Sequence, residues 1–152
     1  MTVFEQITST LDSNGIKYQV LEHEPTKTCA DSAKIRGTTP DQGAKALVCL
    51  ADKNPILIVL PCSQRLDTKS FKAQFNVKDL HFATPGEVKQ FTGLEIGSIP
   101  PWGSIFNLPT YLDTSLSLQE TVAFNAGDLC KSIIMKYSDY LLLEKPLLGK
   151  IT

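Results

Sequence analysis

Two long apolar runs standing almost end to end constrain this chain more than any other feature. Ala44 to Ala51 (AKALVCLA) and Pro55 to Pro61 (PILIVLP) are separated only by Asp52-Lys53-Asn54. Strands this apolar do not leave one face to water, so both are expected at the centre of a sheet covered on both sides. The short polar linker makes them an antiparallel hairpin. The rest of the chain must supply the two covers.

Helical segments are available for that task. Val3, Phe4, Ile7 and Leu11 form a stripe with helical spacing, ended by Asn14-Gly15. Thr28 to Ile35 reads as a short helix stopped by Gly37. Asp67 is placed to accept from the free amides of a helix running to about Phe75. Thr84-Pro85-Gly86-Glu87 joins a capping box to a proline at the first helical position, and that helix ends near Thr92-Gly93. Tyr137 to Leu143 is expected as a closing helix. Shorter strands are expected at Lys17 to Leu21, Asp79 to Ala83, Thr110 to Asp113, Thr121 to Phe124 and Ser132 to Met135. This order is no regular βαβ alternation. It predicts an α+β fold, a single compact domain over residues 1–152 with a curved mixed β-sheet flanked by helices.

Charge narrows the function classes. The net charge of -1 argues against a sequence-blind nucleic-acid binder, whose affinity comes from neutralising phosphates. Local basic patches stay open: Lys27, Lys34 and Arg36, or Lys69, Lys72 and Lys78, each of which reads equally as a solvated helix face. No run approaches the roughly 20 apolar residues of a membrane span. The opening residues, MTVFEQITSTLDSNG, lack a basic stretch followed by an apolar one. A cytoplasmic protein without membrane contact is the expectation.

Four groups of residues are candidates for chemistry. Lys45 heads an otherwise apolar strand, where lysine is rarely buried unless its ammonium is paired; taken alone, a side chain snorkelling to water explains it better. The segment Gly93 to Gly103 (GLEIGSIPPWG) has neither helical nor strand period, and its glycines can bring backbone amides to an oxyanion or simply form a rigid surface loop. His81 lies in an expected strand and reads as structural, while His23 sits in the break EHEP, as a loop residue or a pocket wall. Cys49 and Cys62 fall in apolar runs and read as small hydrophobes, with a catalytic thiol or a disulfide left open. No nucleophile–base signature, nucleotide cradle or metal spacing appears, so no cofactor and no metal are expected. Either the chain is no enzyme, or its substrate supplies part of the machinery.

The segments LEHEP at 21–25, GAKALV at 43–48, RLDTKSF at 65–71, ATPGEVKQFTG at 83–93, GSIPPWG at 97–103, LPTYLDTSL at 108–116 and VAFNAG at 122–127 carry more in their order than singly. Together they resemble the YbaK/ProX family of aminoacyl-tRNA deacylases, related to the editing domain inserted in bacterial prolyl-tRNA synthetases. The resemblance spans Ile16 to Leu142. It implies a compact mixed sheet without a metal, with Lys45 as the family's essential lysine and Gly97 as the glycine of the catalytic loop. It also implies hydrolysis of a small mischarged residue (Ala, Cys, Ser or Thr) on tRNA, with tRNA(Pro) as the expected carrier. The implied partner is the acceptor end of mischarged tRNA; the modest net charge adds an aminoacyl-tRNA synthetase, such as prolyl-tRNA synthetase, as an expected helper, and a monomer is the expected state. The implied substrate wall comprises His23, Thr26, Thr28, Ala30, Leu47, Ser98, Ile99, Pro100 and Trp102. Ser98 stands where many members carry a second glycine. Two other readings stay in play: a silent tRNA- or synthetase-binding module, and a Schiff-base enzyme using Lys45 as nucleophile.

Overall fold

The computed structural model describes residues 1–26 and 28–152. Lys27, one member of a basic cluster weighed above, lies outside the described residues. The central hairpin forms as the apolar runs require: β2 (Ala44–Ala51) pairs antiparallel with β3 (Asn54–Pro61), from Ala44 opposite Pro61 to Ala51 opposite Asn54. Asp52 and Lys53 make the turn with φ of 47° and 73°. A two-residue turn with both φ positive matches the twist of its strands.

Around the hairpin the chain supplies α1 (Val3–Ser13), β1 (Tyr18–Glu22), α2 (Cys29–Arg36), α3 (Thr68–Phe75), β4 (Leu80–Phe82) and α4 (Pro85–Thr92). Then follow β5 (Thr110–Asp113), β6 (Thr121–Asp128), β7 (Lys131–Lys136), α5 (Tyr137–Glu144) and a short β8 (Leu147–Gly149) that periodicity does not reveal. The expected caps are present. Thr28, Asp67 and Thr84 each accept a backbone amide at a helix start, and Gly37 and Gly93 close α2 and α4 in the left-handed conformation.

The strands divide into two hydrogen-bonded groups. One is mixed, in the order β4-β2-β3-β5-β8; the other is antiparallel, in the order β1-β7-β6. They meet at a parallel bridge between Gly43 and Ala123. The curvature expected of one sheet is thus achieved by two that diverge from a shared point.

Alternation along the hairpin builds two cores. Ala44, Val48, Leu57 and Val59 face α1, α4, β6 and β7, packing with Ile7, Leu11, Val88, Phe124, Ile133 and Tyr140. Cys49, Ala51, Ile56, Ile58 and Leu60 face the other way, against Phe71 and Ile151. Complete burial of a Leu or Ile side chain contributes about 1.5–3 kcal/mol.

One gap in the pairing positions the site. On the side of β2 away from β3, β4 pairs only with Cys49 to Ala51, and the bridge to β6 stops at Gly43. Among the described residues, no strand pairs with this edge of β2 between Ala44 and Leu47.

Candidate active site

The open edge of β2 faces a cavity of about 450 Å³. Its walls come from five places: the β2 start (Gly43 to Leu47), α2 and its approach (Thr26, Thr28, Cys29, Ser32, Arg36), Cys62 just past β3, the loop after α4 (Ile96, Gly97, Ile99) and β6 with its following turn (Asn125, Leu129). A second, more apolar cavity of about 310 Å³ continues past Ala46, Leu47 and Gly97 to Phe82, Ala83 and Val88. Concave sites of this size suit small-molecule groups, with a few polar atoms fixing orientation.

Lys45 is half-buried, and its ammonium donates to the Gln64 carbonyl at 2.5 Å and, at 3.5 Å, to that of Cys62. Both acceptors are neutral carbonyls, and among the described residues no carboxylate lies within ion-pair distance of Lys45. Burial lowers the Lys45 pKa, and the positive charge of Arg65 lowers it further.

Arg36 is the second cation of the cavity. Its Nε donates to Ser132 Oγ at 2.9 Å and its Nη2 to Asn125 Oδ1 at 2.9 Å, again with no carboxylate in reach among the described residues. Burial brings its pKa down to about 10. Two cations without an anionic partner make the cavity complementary to a negatively charged ligand.

The Gly97 loop is held from β6. Asn125 Nδ2 donates to the Gly97 carbonyl at 2.6 Å, and the Gly127 amide donates to the Ser98 carbonyl at 2.9 Å. Gly97 has φ of 93°, a conformation that side-chain-bearing residues rarely adopt. A Cβ there would come into contact with Leu129 at 3.4 Å, so the backbone conformation rather than space is what calls for glycine.

Of the residues expected at the site, Lys45, Gly97, Thr26, Thr28, Leu47 and Ile99 come together around this cavity. Five others do not line it. Trp102 is buried edge-on against Phe124 and Tyr140, so it packs the core and does not line this cavity. Pro100 is buried beside it. Ser98 turns its hydroxyl back to the Glu95 carbonyl at 2.7 Å and is buried. Ala30 points to solvent from the first turn of α2. His23 stands behind the wall, its Nε2 2.7 Å from Ser132 Oγ, the same oxygen that accepts from Arg36. It therefore reaches the cavity through Ser132, which contacts both Arg36 and Asn125.

Sequence reasoning left Arg36, Ser32 and Asn125 without a site role, although Asn125 lies in VAFNAG and Arg36 in a basic cluster. It also misread one cysteine. Cys62 is no free hydrophobe; it lies just past the end of β3, bonded to Cys29 across a Cα–Cα distance of 5.7 Å. The two are 33 residues apart, and only the docking of α2 over the hairpin joins them. Cys49 does behave as a small hydrophobe, free and fully buried, its thiol pushed up to about 12 by burial. His81 lies in β4 but is exposed, 3.4 Å from Asp79.

A cationic cavity with an unpaired strand edge and a glycine loop in the left-handed region is complementary to a small anionic ligand. Comparison with known proteins places the chain more closely. Residues 23–143 match the model of the aminoacyl-tRNA editing domain, and the chain belongs to that family. It is 34% identical over 147 residues to the multifunctional Ser/Thr-tRNA deacylase ProXp-y of Escherichia coli K12, covering 93% of this chain and 88% of that protein. It is 24% identical over 151 residues to the prolyl-tRNA editing protein ProX of Acetoanaerobium sticklandii, covering 95% and 90% respectively. A solved structure described as a candidate trans-editing enzyme for prolyl tRNA synthetase superposes with a TM-score of 0.86 at 26% identity, covering 100% of this chain and 98% of that one.

Proposed function

We propose that this protein is a trans-editing hydrolase that cleaves the ester between a wrongly attached small amino acid and the 3′ end of a tRNA. The observation that carries the reading is the pairing of Lys45 with Gly97 across one cavity, in a chain of the editing-domain family. An aminoacyl ester is already activated, so its hydrolysis needs positioning and charge stabilisation more than a strong nucleophile. In this reading the Lys45 ammonium exchanges a backbone carbonyl for an anionic or developing negative oxygen of the substrate. The Gly97 amide polarises the ester carbonyl or orients the attacking water. A hydroxyl of the terminal ribose assists proton transfer, which accounts for the lack of a nucleophile–base pair. Arg36 adds a second positive charge toward the phosphate of the terminal nucleotide.

The amino acid we assign is small and hydroxyl-bearing, Ser or Thr ahead of Ala or Cys. Thr26, Thr28 and Ser32 bring three hydroxyls to the cavity, with Thr26 Oγ1 2.5 Å from Ser32 Oγ. A wall that hydrogen-bonds a substrate hydroxyl discriminates better than one that only measures a methylene. The name of the Escherichia coli relative, a Ser/Thr-tRNA deacylase, points the same way. The carriers we favour are tRNA(Pro) and its near relations, with a synthetase assisting capture, since a net charge of -1 gives weak attraction for tRNA on its own.

A panel of mischarged tRNAs tests this. Ser- and Thr-tRNA should be hydrolysed fastest, and Lys45→Ala should lose about 100-fold or more in kcat/KM while its thermal transition stays in place. Near-normal turnover by that variant would sink the site assignment. Tight tRNA binding with no release from any member of the panel would instead identify a silent binding module. A borohydride-trapped adduct on Lys45 would turn the reading toward Schiff-base chemistry.

A further inference from the structure

The wall that carries the hydroxyls is fastened by a single covalent bond. Cys29 is the first residue of α2, and Cys62 follows the end of β3; both line the cavity. Cys62 is also tied into the Lys45 environment from two sides. Its carbonyl accepts from the Lys45 ammonium, and its amide donates to the Gly43 carbonyl at 2.6 Å. A Cβ added at Gly43 would lie 2.9 Å from that of Cys62, so the disulfide end sits tight against the head of β2.

The other end is loosely held. Ala33 is the one buried residue of α2, and Ile35 is 44% exposed. Beyond Ala33, the helix is kept in place by the Arg36 hydrogen bonds to Asn125 and Ser132 at its last turn and by the disulfide at its first. Among the described residues, the first turn makes no side-chain hydrogen bond to another helix or strand, Ser32 reaching only Thr26 of its own approach. Its N-cap Thr28 serves only the helix itself, accepting from the Asp31 amide. Opening the bond therefore frees the end of α2 that carries Thr28 and the start of the cavity wall.

We propose that Cys29–Cys62 is a thiol-sensitive fastener, a redox modification site through which thiol reductants loosen the aminoacyl pocket. A thiol reductant of the glutathione or dithiol class attacks one sulfur, forming a mixed disulfide and releasing the other cysteine as a thiol. A second reductant thiol then attacks the reductant's sulfur in that mixed disulfide, and the remaining cysteine leaves as a thiol. The sum is two protein thiols and one reductant disulfide, with two electrons and two protons transferred. Disulfides in proteins that work in a reducing compartment are usually transient and redox-sensing rather than permanent staples. Cys49 takes no part, being a free thiol fully buried in the second core.

The kinetic part of this inference rests on the deacylase reading; the thiol and exchange measurements do not. The full chain is equilibrated with reduced or oxidised glutathione, denatured, alkylated and weighed. The oxidised sample should carry two alkyl groups, on Cys49 and Cys130, and the reduced sample four. Amide exchange across 28–33 should rise by about 10-fold or more on reduction, as a cross-link lost from a locally opening element implies, while β2 and β3 stay protected. On Ser-tRNA, reduction should raise KM several-fold with a smaller change in kcat, and should raise the relative hydrolysis of larger aminoacyl esters. Cys29→Ser should show the reduced behaviour in both buffers. Four alkyl groups after oxidation, or unchanged exchange in α2 after reduction, would overturn the proposal. A redox-dependent α2 in a protein that deacylates nothing would leave the fastener standing and bring down the function.

Discussion

Lys45 keeps its charge in a place that disfavours it. Partial burial and the neighbouring Arg65 both lower its pKa, and two carbonyls rather than a carboxylate receive its protons. Such a group gains more from an incoming anion than one already paired. The consequence for pH has a definite sign. The ammonium is the working form, and a lowered pKa means that it is lost at lower pH than from an ordinary lysine, near 10.4. Enzyme-dependent deacylation should therefore decline on the alkaline side, starting below that value, once spontaneous ester hydrolysis is subtracted. Arg65→Ala removes the second cause and should move the decline to higher pH. A profile flat to about pH 10, or a decline that ignores Arg65, would remove Lys45 from the rate-limiting step. In the sequence Lys45 was visible as an anomaly, a charge heading an apolar strand, but only the order of surrounding motifs favoured function over snorkelling. Arg36 and Asn125 were not legible, because they become neighbours only when α2 docks across β6 and β7. The same holds for Cys29 with Cys62.

Among the elements, β6 does the most to shape the site, and it does so through an irregularity. The β6–β7 register shifts between Asn125 and Asp128. The strand therefore runs on to Asp128 where periodicity suggested an end at Phe124. The shift aims the Asn125 side chain at the Gly97 carbonyl and the Gly127 amide at the Ser98 carbonyl. Gly127 has φ of 81°, and a Cβ there would sit 2.8 Å from the Val3 side chain of α1. Gly127→Ala combines a left-handed backbone with a clash against a packed helix, so it should cost about 1–3 kcal/mol of stability, read by urea denaturation. Its kcat/KM should fall further than the folded fraction does, because the glycine loop loses two anchors. Stability within about 0.5 kcal/mol of the parent would show that α1 yields and that the irregularity is not fixed by this glycine. The bounds of the regular helices, by contrast, were nearly all readable, because Thr28, Asp67, Thr84, Gly37 and Gly93 are capping residues whose chemistry is local.

At the scale of the molecule, one hairpin serves two cores, and that sharing decides how the protein unfolds. Which strands neighbour the hairpin was not readable from the sequence, since short apolar segments such as Thr110 to Asp113 fit either group of strands equally well. In the structure Leu57 and Val59 look into one core while Ile56, Ile58 and Leu60 look into the other, along the same strand. The chain's one tryptophan, Trp102, is buried in the first core. Ile151 is buried in the second, its amide donating to Asp113 at 2.8 Å and its carbonyl accepting from Asp67 at 2.7 Å. Ile151→Ala leaves those backbone bonds in place and removes packing on the Phe71 side, which should cost about 2–5 kcal/mol. If β2 and β3 couple the cores, the loss appears in Trp102 fluorescence, on the face the substitution never touches. The fluorescence and far-ultraviolet circular dichroism midpoints should then fall together, as one transition. A fluorescence midpoint that holds while the dichroism splits into two steps would mean that the cores melt separately. The glycine loop beside Trp102 could then stay folded while the strand behind Lys45 gives way.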